Sequence, residues 1–357
     1  MRIWASLMLI AIAQAGPPAP DAGRPSFADF LAGIREEALM RGIREEIVDA
    51  AFSDLEAPLP IVLERDRTQA ETVLPLEKYV ARLVTTKMIQ RALESATANR
   101  ALLQDISLRY GVPPGIITAI WGIESNFGRF SGVRPTIAAL ATLAWDPRRS
   151  ALFRSELLAA LEILNHGDID VTGMRGSWAG AMGQVQFMPS SYLKYAEDFD
   201  GDGRRDIWSS PADVFASIAN YLKGHGWTAG EPWGLEVHVS EEAARHISAS
   251  VGRRDGTCRA TRDMTVALPM AEWQQLGVRL SDRARLPETA PPAAMVSGAT
   301  RHFLVFHNYD VLLDYNCAHS YAISVGLLAD RVGPSRPAPE PNEKTAQNRG
   351  SRHRPRH

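Results

Sequence analysis

A mainly α-helical protein with a small β element is the fold class this sequence predicts. Three observations carry the prediction. Apolar residues recur at the i, i+3, i+4 spacing of helices through successive segments. Two stretches, 114–124 and 318–331, are apolar on nearly every side, as core helices are. Strand-like runs are few and short, at 235–239, 264–266 and 303–306.

The chain of 357 residues begins with Arg2, an apolar run over 3–12 and then Ala13-Gln14-Ala15. A positive start, a short apolar core and an A-x-A ending predict a secretory signal peptide over 1–15, cleaved after Ala15. The run is too short to span a bilayer permanently. No cysteine follows the cleavage point, so no lipid or stable membrane anchor is expected. Residues 16–25 (GPPAPDAGRP) predict an unstructured leader. From Ser26, an N-cap residue, Phe27, Phe30, Leu31, Ile34, Ala38 and Leu39 mark the first helix. Residues 43–52 predict a second, and 77–99 and 100–110 two amphipathic helices. Gly111 ends that run and Pro113-Pro114 begin the next helix, since proline fits a first turn. Further helices are expected over 150–165, 190–197 and 211–224, while 273–277 fits neither helix nor strand clearly. Residues 334–357, rich in Pro, Arg, Asn and Ser, predict a disordered basic tail.

A formal net charge of -2 gives no sign of a nucleic-acid partner. Cys258 and Cys317 form no CxxC pair, so a thiolate zinc site is not expected. In an oxidising compartment they are either two thiols or one disulfide.

The chemistry begins with PGIITAIWGIE, residues 114–124. Its apolar faces predict a buried helix, and Glu124 stands at its end, before Ser125-Asn126-Phe127-Gly128. Asn126 or Gly128 would take the left-handed cap. Apolar surroundings and the negative end of the helix dipole both raise the pKa of a carboxyl placed there. A carboxyl still protonated near neutral pH suits general acid catalysis. Residues 176–192 read GSWAGAMGQVQFMPSSY. Gly176, Ala179, Gly180, Ala181 and Gly183 would let backbone approach a ligand closely. Gln184 and Gln186 alternate with apolar neighbours, so one of them can face a cleft, where an amide both donates and accepts. Trp178 and Phe187 offer flat faces for a sugar ring. Tyr221, on an apolar helix, reads from its surroundings as a core tyrosine.

The stretches IESNFG (123–128), GAMGQVQFMPSSY (180–192) and NYL (220–222) together resemble the membrane-bound lytic murein transglycosylase B family. The resemblance runs from about Ser26 to Asp330, with the motifs in the family's order and spacing. It implies a lysozyme-like catalytic domain embedded in a helical protein: a catalytic region over 26–333, with the lysozyme-like core at about 100–230 and the remainder a helical and small β subdomain. It implies cleavage of the MurNAc–GlcNAc β-1,4 bond of peptidoglycan, with closure of a 1,6-anhydro ring rather than addition of water. Glu124 would protonate the leaving oxygen and then take the proton of the C6 hydroxyl. Ordinary glycosidases need two flanking carboxylates; no second acid stands close to Glu124 in the sequence. By the same resemblance Ser177, Gln186 and Tyr221 line the cleft. Arg148 and Arg149 match a paired-arginine position and would meet substrate carboxylates, or else open a solvated helix. Tyr315, Asn316 and Tyr321 match a C-terminal segment of the family. Cys317-Ala318 stands where the family commonly has Arg-Ser, which adds weight to a Cys317 disulfide. The expected partner is the peptidoglycan glycan strand, the expected compartment the periplasm, and the expected state a monomer.

Residues 198–206 read DFDGDGRRD. Asp198, Asp200 and Asp202 alternate, Gly203 is sixth and the Arg204 carbonyl seventh, as in the first half of a calcium loop. Asp206, ninth, would ligate directly or through water. Ser209 occupies the place of the closing glutamate, and the family resemblance puts Asp213 in that role. A structural calcium, or sodium, is expected, and no cofactor for catalysis. Two other functions stay open on sequence: a muramidase that uses water, and a non-catalytic peptidoglycan-binding scaffold.

Overall fold

The computed structural model describes residues 24–68 and 74–333. The expected signal peptide (1–15), residues 16–23 of the leader and the basic tail (334–357) lie outside the described residues. The chain begins with six helices: α1 (Phe27–Met40), α2 (Glu45–Phe52), α3 (Pro60–Thr68), α4 (Leu76–Leu83), α5 (Thr86–Ala98) and α6 (Arg100–Tyr110). The central stretch holds α7 (Pro114–Ser125), β1 (Arg134–Pro135), α8 (Thr136–Trp145), α9 (Ser150–His166), β2 (Arg175–Gly176), α10 (Pro189–Tyr195) and α11 (Pro211–Gly224). The last part runs β3 (Gly234–His238), α12 (Glu241–Ser250), α13 (Arg259–Asp263), α14 (Met270–Gln275), β4 (Arg279–Leu280), β5 (Ala294–Ser297), β6 (His302–Val305), α15 (His307–Tyr315) and α16 (His319–Val332).

Ser26 caps α1 by accepting the Asp29 amide at 3.0 Å. Arg24 and Pro25 are docked rather than loose: the Arg24 guanidinium sits 3.0 Å above the Trp145 ring, and the Trp145 indole N–H donates to the Pro25 carbonyl. The single helix expected over 77–99 is two. Val84 leaves helical geometry, and the Thr85 hydroxyl caps α5 by accepting the Met88 amide. The strand expected at 264–266 is absent: Thr265 makes only an isolated bridge to Arg253, and its hydroxyl accepts the Met295 amide. Residues 273–277 hold the end of α14 and the turn after it.

Helix α7 is the axis of the molecule. Helices α5, α6, α11 and α16 pack around it, and α8 and α9 form a neighbouring pair. With eleven of its residues buried, α7 leaves no face to solvent. Its apolar burial supplies the main drive for this packing. A second, smaller core lies under a four-stranded antiparallel sheet of order β4-β3-β6-β5. There Leu235 pairs with Leu304 and Met295 with Leu304, while Trp273 fills the core beneath and donates its indole N–H to the Ala293 carbonyl. The two-residue strands β1 and β2 pair Arg134 with Gly176, which ties the glycine-rich stretch back towards the N-terminus of α8. No described helix is long and apolar enough to cross a membrane.

Candidate active site

Helix α7 delivers Glu124 to the interior, 3% exposed. The helix stops there because the chain turns left-handed at three consecutive residues, Asn126 (φ 52°), Phe127 (φ 61°) and Gly128 (φ 73°), where the sequence suggested a single such cap. Positive φ strains a bulky residue such as Phe127, and neighbouring contacts hold it. Its ring folds back on Gly122, where a Cβ would lie 2.6 Å from it, and meets Trp121 edge-on. Arg91 of α5 donates to the Asn126 side-chain carbonyl at 3.0 Å. The Ser125 hydroxyl donates to the Trp121 carbonyl and accepts the Gly128 amide.

Burial pushes the Glu124 carboxyl up to about 7, and the Tyr321 hydroxyl works in the opposite direction. The Glu124 charge also reaches Tyr79 of α4, Tyr315 at the end of α15 and Tyr321 of α16. It opposes ionisation of all three phenols, after burial, which is the larger cause in each. The acid is thus ringed by neutral hydroxyl groups. No second carboxylate contributes to its shift among the described residues. Tyr79 escaped the sequence reading: it sits on an ordinary amphipathic helix far from the motifs, and only the fold brings it here.

The structure assigns the glutamines different tasks. Gln184 is committed inside the protein: its carbonyl accepts the Trp121 indole N–H at 2.7 Å and its amide donates to the Trp208 carbonyl at 2.8 Å. That corrects its expected place in the cleft. Gln186 adopts φ 53° and donates to the Gly183 carbonyl at 2.8 Å. The Ser177 hydroxyl accepts the Ala179 and Ala181 amides and shapes the small-residue turn. The small residues themselves approach protein, not ligand. A Cβ on Gly176 would lie 2.2 Å from the Ala181 carbonyl oxygen, and one on Gly180 would lie 2.2 Å from the Leu140 side chain. Phe187 is no sugar platform either, because it is buried between Tyr221 and Tyr315.

Tyr221 stacks on His225 and donates to the Asp314 carbonyl at 2.7 Å; Tyr315 donates to the Val185 carbonyl at 2.7 Å. These two bonds lock the end of α15 to α11 and to the 180–192 loop. Asn316 is buried beside them with its Oδ1 unpartnered. Arg148 and Arg149 are already matched in charge. Both pair with Asp66, Arg148 at 2.7 Å, and Arg148 also bridges to Asp146. These pairs fasten α3 to the start of α9. The sulfurs of Cys258 and Cys317 are bonded to each other.

In the acidic loop, the Asp198 carboxylate accepts the amides of Gly201, Asp202 and Gly203, and Asp202 accepts that of Arg204. These turns bring Asp198, Asp200 and Asp202 together, one carboxylate oxygen of each within 4.8 Å of the others, all exposed. Such hard oxygen donors suit calcium. Asp206 does not join them: its carboxylate accepts the Trp208 and Ser209 amides. Asp213 is fully buried and accepts the Phe199 and Asp206 amides, so it closes the loop through backbone.

With that geometry in place, the known proteins can be compared. Residues 26–330 match the family model described as the transglycosylase SLT domain. The chain is 34% identical over 228 residues to the membrane-bound lytic murein transglycosylase B of Escherichia coli (strain K12), a match covering 64% of this chain and 59% of that protein. It therefore spans about three fifths of that relative's length. SltB3 of Pseudomonas aeruginosa, solved in complex with NAG-anhNAM-pentapeptide, superposes with a TM-score of 0.77 at 40% identity, covering 87% of this chain and 80% of that one. The Escherichia coli lytic transglycosylase SLT35 in complex with calcium gives a TM-score of 0.70 at 26% identity, covering 87% and 93%.

Proposed function

The chain belongs to the transglycosylase SLT domain family, and from that membership we propose that it is a lytic murein transglycosylase with a lysozyme-like catalytic core. Its substrate is the peptidoglycan glycan strand, cut at the MurNAc–GlcNAc β-1,4 bond. One observation carries the reading: a carboxyl buried at a helix end and raised to about 7, with three phenols within reach of its charge. A group with that pKa gives and takes a proton with equal ease near neutral pH.

In the first half of the reaction neutral Glu124 donates its proton to the glycosidic oxygen as the C1–O4 bond breaks. The buried site leaves its carboxylate poorly solvated, and so basic. In the second half the carboxylate takes the C6 hydroxyl proton of the same muramic acid as O6 bonds to C1. The 1,6-anhydro ring closes, Glu124 is neutral again and no water is consumed. A two-carboxylate hydrolase needs a second acid to activate water, and among the described residues no other carboxylate contributes to the Glu124 shift. Tyr321, whose hydroxyl favours the charged form of the acid, stabilises the carboxylate between the halves. Asn316, with a buried unpartnered carbonyl oxygen, and Gln186 and Ser177, on the loop that Tyr315 anchors, are assigned to the sugar hydroxyl and acetamido groups.

The acidic loop is proposed to hold calcium through Asp198, Asp200, Asp202 and the Arg204 carbonyl, as a structural pin between the cleft loop and α11. That SLT35 was solved with calcium supports the choice of ion. The N-terminal signal pattern supports export, and the substrate places the enzyme in the periplasm. The test is digestion of purified sacculi with the wild-type protein and Glu124→Gln, followed by mass analysis of soluble products. Muropeptides lighter by one water than reducing-end products are expected from the wild type and none from the variant. A folded wild type that binds sacculi without releasing product would instead mark a scaffold.

A further inference from the structure

The last wall of the acid's surroundings hangs on a short connection. Helices α15 and α16 carry Tyr315 and Tyr321, and only residues 316–318 join them. Asn316 and Ala318 are both extended there, and the connection closes on itself through a single 2.7 Å bond from the Ala318 amide to the Asn316 carbonyl. At its centre is Cys317, bonded to Cys258, which stands at the start of α13 in the segment between β3 and β4. Two more contacts fasten that segment to the same hairpin. Arg254 pairs with Asp310 of α15 at 2.8 Å, and His319, at the start of α16, lies beside Ala260 and Asp263 while bonded to the Tyr309 hydroxyl.

We propose that the Cys258–Cys317 bridge is a positioning device for the reaction: it fixes the 316–318 connection and thereby sets Tyr315, Asn316 and Tyr321 against Glu124. The inference rests on the functional reading above. Tyr315 and Tyr221 already have backbone partners on the cleft side, at Val185 and Asp314. On the far side the connection has no comparable bond of its own, and the disulfide supplies the anchor. Misplacement of a catalytic wall by about 1 Å costs rate far more than it costs binding. The bridge is half-buried, and Cys317 stands between Tyr315 and Tyr321 in the chain, so its influence on Glu124 passes through the tyrosines.

The experiment compares wild type, the double variant Cys258→Ser/Cys317→Ser, and Val237→Ala, which only weakens the smaller core. Steady-state turnover on sacculi is measured against pH at a temperature where all three are folded by circular dichroism. Amide exchange of the 312–323 segment is measured alongside. The double variant should lose about tenfold or more in kcat with little change in KM. Its alkaline limb should move to higher pH, because the Tyr321 hydroxyl that favours the charged form of Glu124 is displaced. The other groups facing Glu124 are Tyr79 and Tyr315, with Arg91 reaching the helix end through Asn126; the variant leaves Tyr79 and Arg91 untouched. Exchange over 312–323 should quicken in the double variant alone. Unchanged kcat, limb and exchange in an active protein would overturn the tether. A wild type that releases no anhydro product would overturn the functional reading, and the exchange result would still decide the tether.

Discussion

At the scale of single residues, Glu124 links stability to chemistry. Its carboxyl titrates near 7 when folded and near 4.5 when unfolded. Between those values the folded protein holds a proton that the unfolded chain has released. Stability is therefore full below pH 4.5 and falls as pH rises towards 7, by about 3 kcal/mol in all. Glu124→Gln should abolish that fall: the variant should match wild type at pH 4 and be more stable at pH 8, read by urea denaturation at both. Gln184→Ala should cost about 1–3 kcal/mol, since it leaves the Trp121 indole and the Trp208 carbonyl without partners in the interior. Glu124 was legible in the sequence because an unbroken apolar helix leads straight to it. Gln184 and Gln186 were not separable, because alternation says that two side chains diverge without saying which meets the cleft. Tyr79 could not be read, because only the packing of α4 on α16 across the fold brings it towards the acid.

At the scale of elements, periodicity found the helices that have one wet face, the unbroken apolar run before Glu124 gave α7, and α8 and several short helices were missed. Helix α8 is apolar on all sides (TIAALATLAW), so it shows no period; α15 has nine residues and sits directly between a strand and another helix. The break between α4 and α5 carried a signal, the Thr85 cap, inside a run whose spacing alone suggested continuity. The small-residue loop was read as a place of close approach, and in the fold Gly176 and Gly180 approach protein atoms. Gly180→Ala tests this: at φ 87° and 2.2 Å from Leu140, the added methyl should cost about 3 kcal/mol, seen as a lower denaturation midpoint. A ligand-facing glycine would instead show normal stability and altered substrate affinity.

At the scale of the whole molecule, a large helical core holds the acid, and the smaller β core reaches it through covalent and ionic fastenings. Fold class was legible because helix period and scarce strand signal agree over most of the chain. The sheet was half legible, since β5 and β4 are short and their partners distant. The proposed calcium site belongs to this scale too. Saturation at a hundredfold over Kd should stabilise the protein by about 3 kcal/mol, raising the melting temperature, and Asp198→Asn should remove that increment. The central claim is that the substrate's own C6 hydroxyl, not water, completes the reaction at Glu124. Digestion of sacculi in water enriched in heavy oxygen tests it most directly. Products free of the label at the cleaved muramic acid are predicted; incorporation of one heavy oxygen at each new end would contradict the account and make the enzyme a hydrolase.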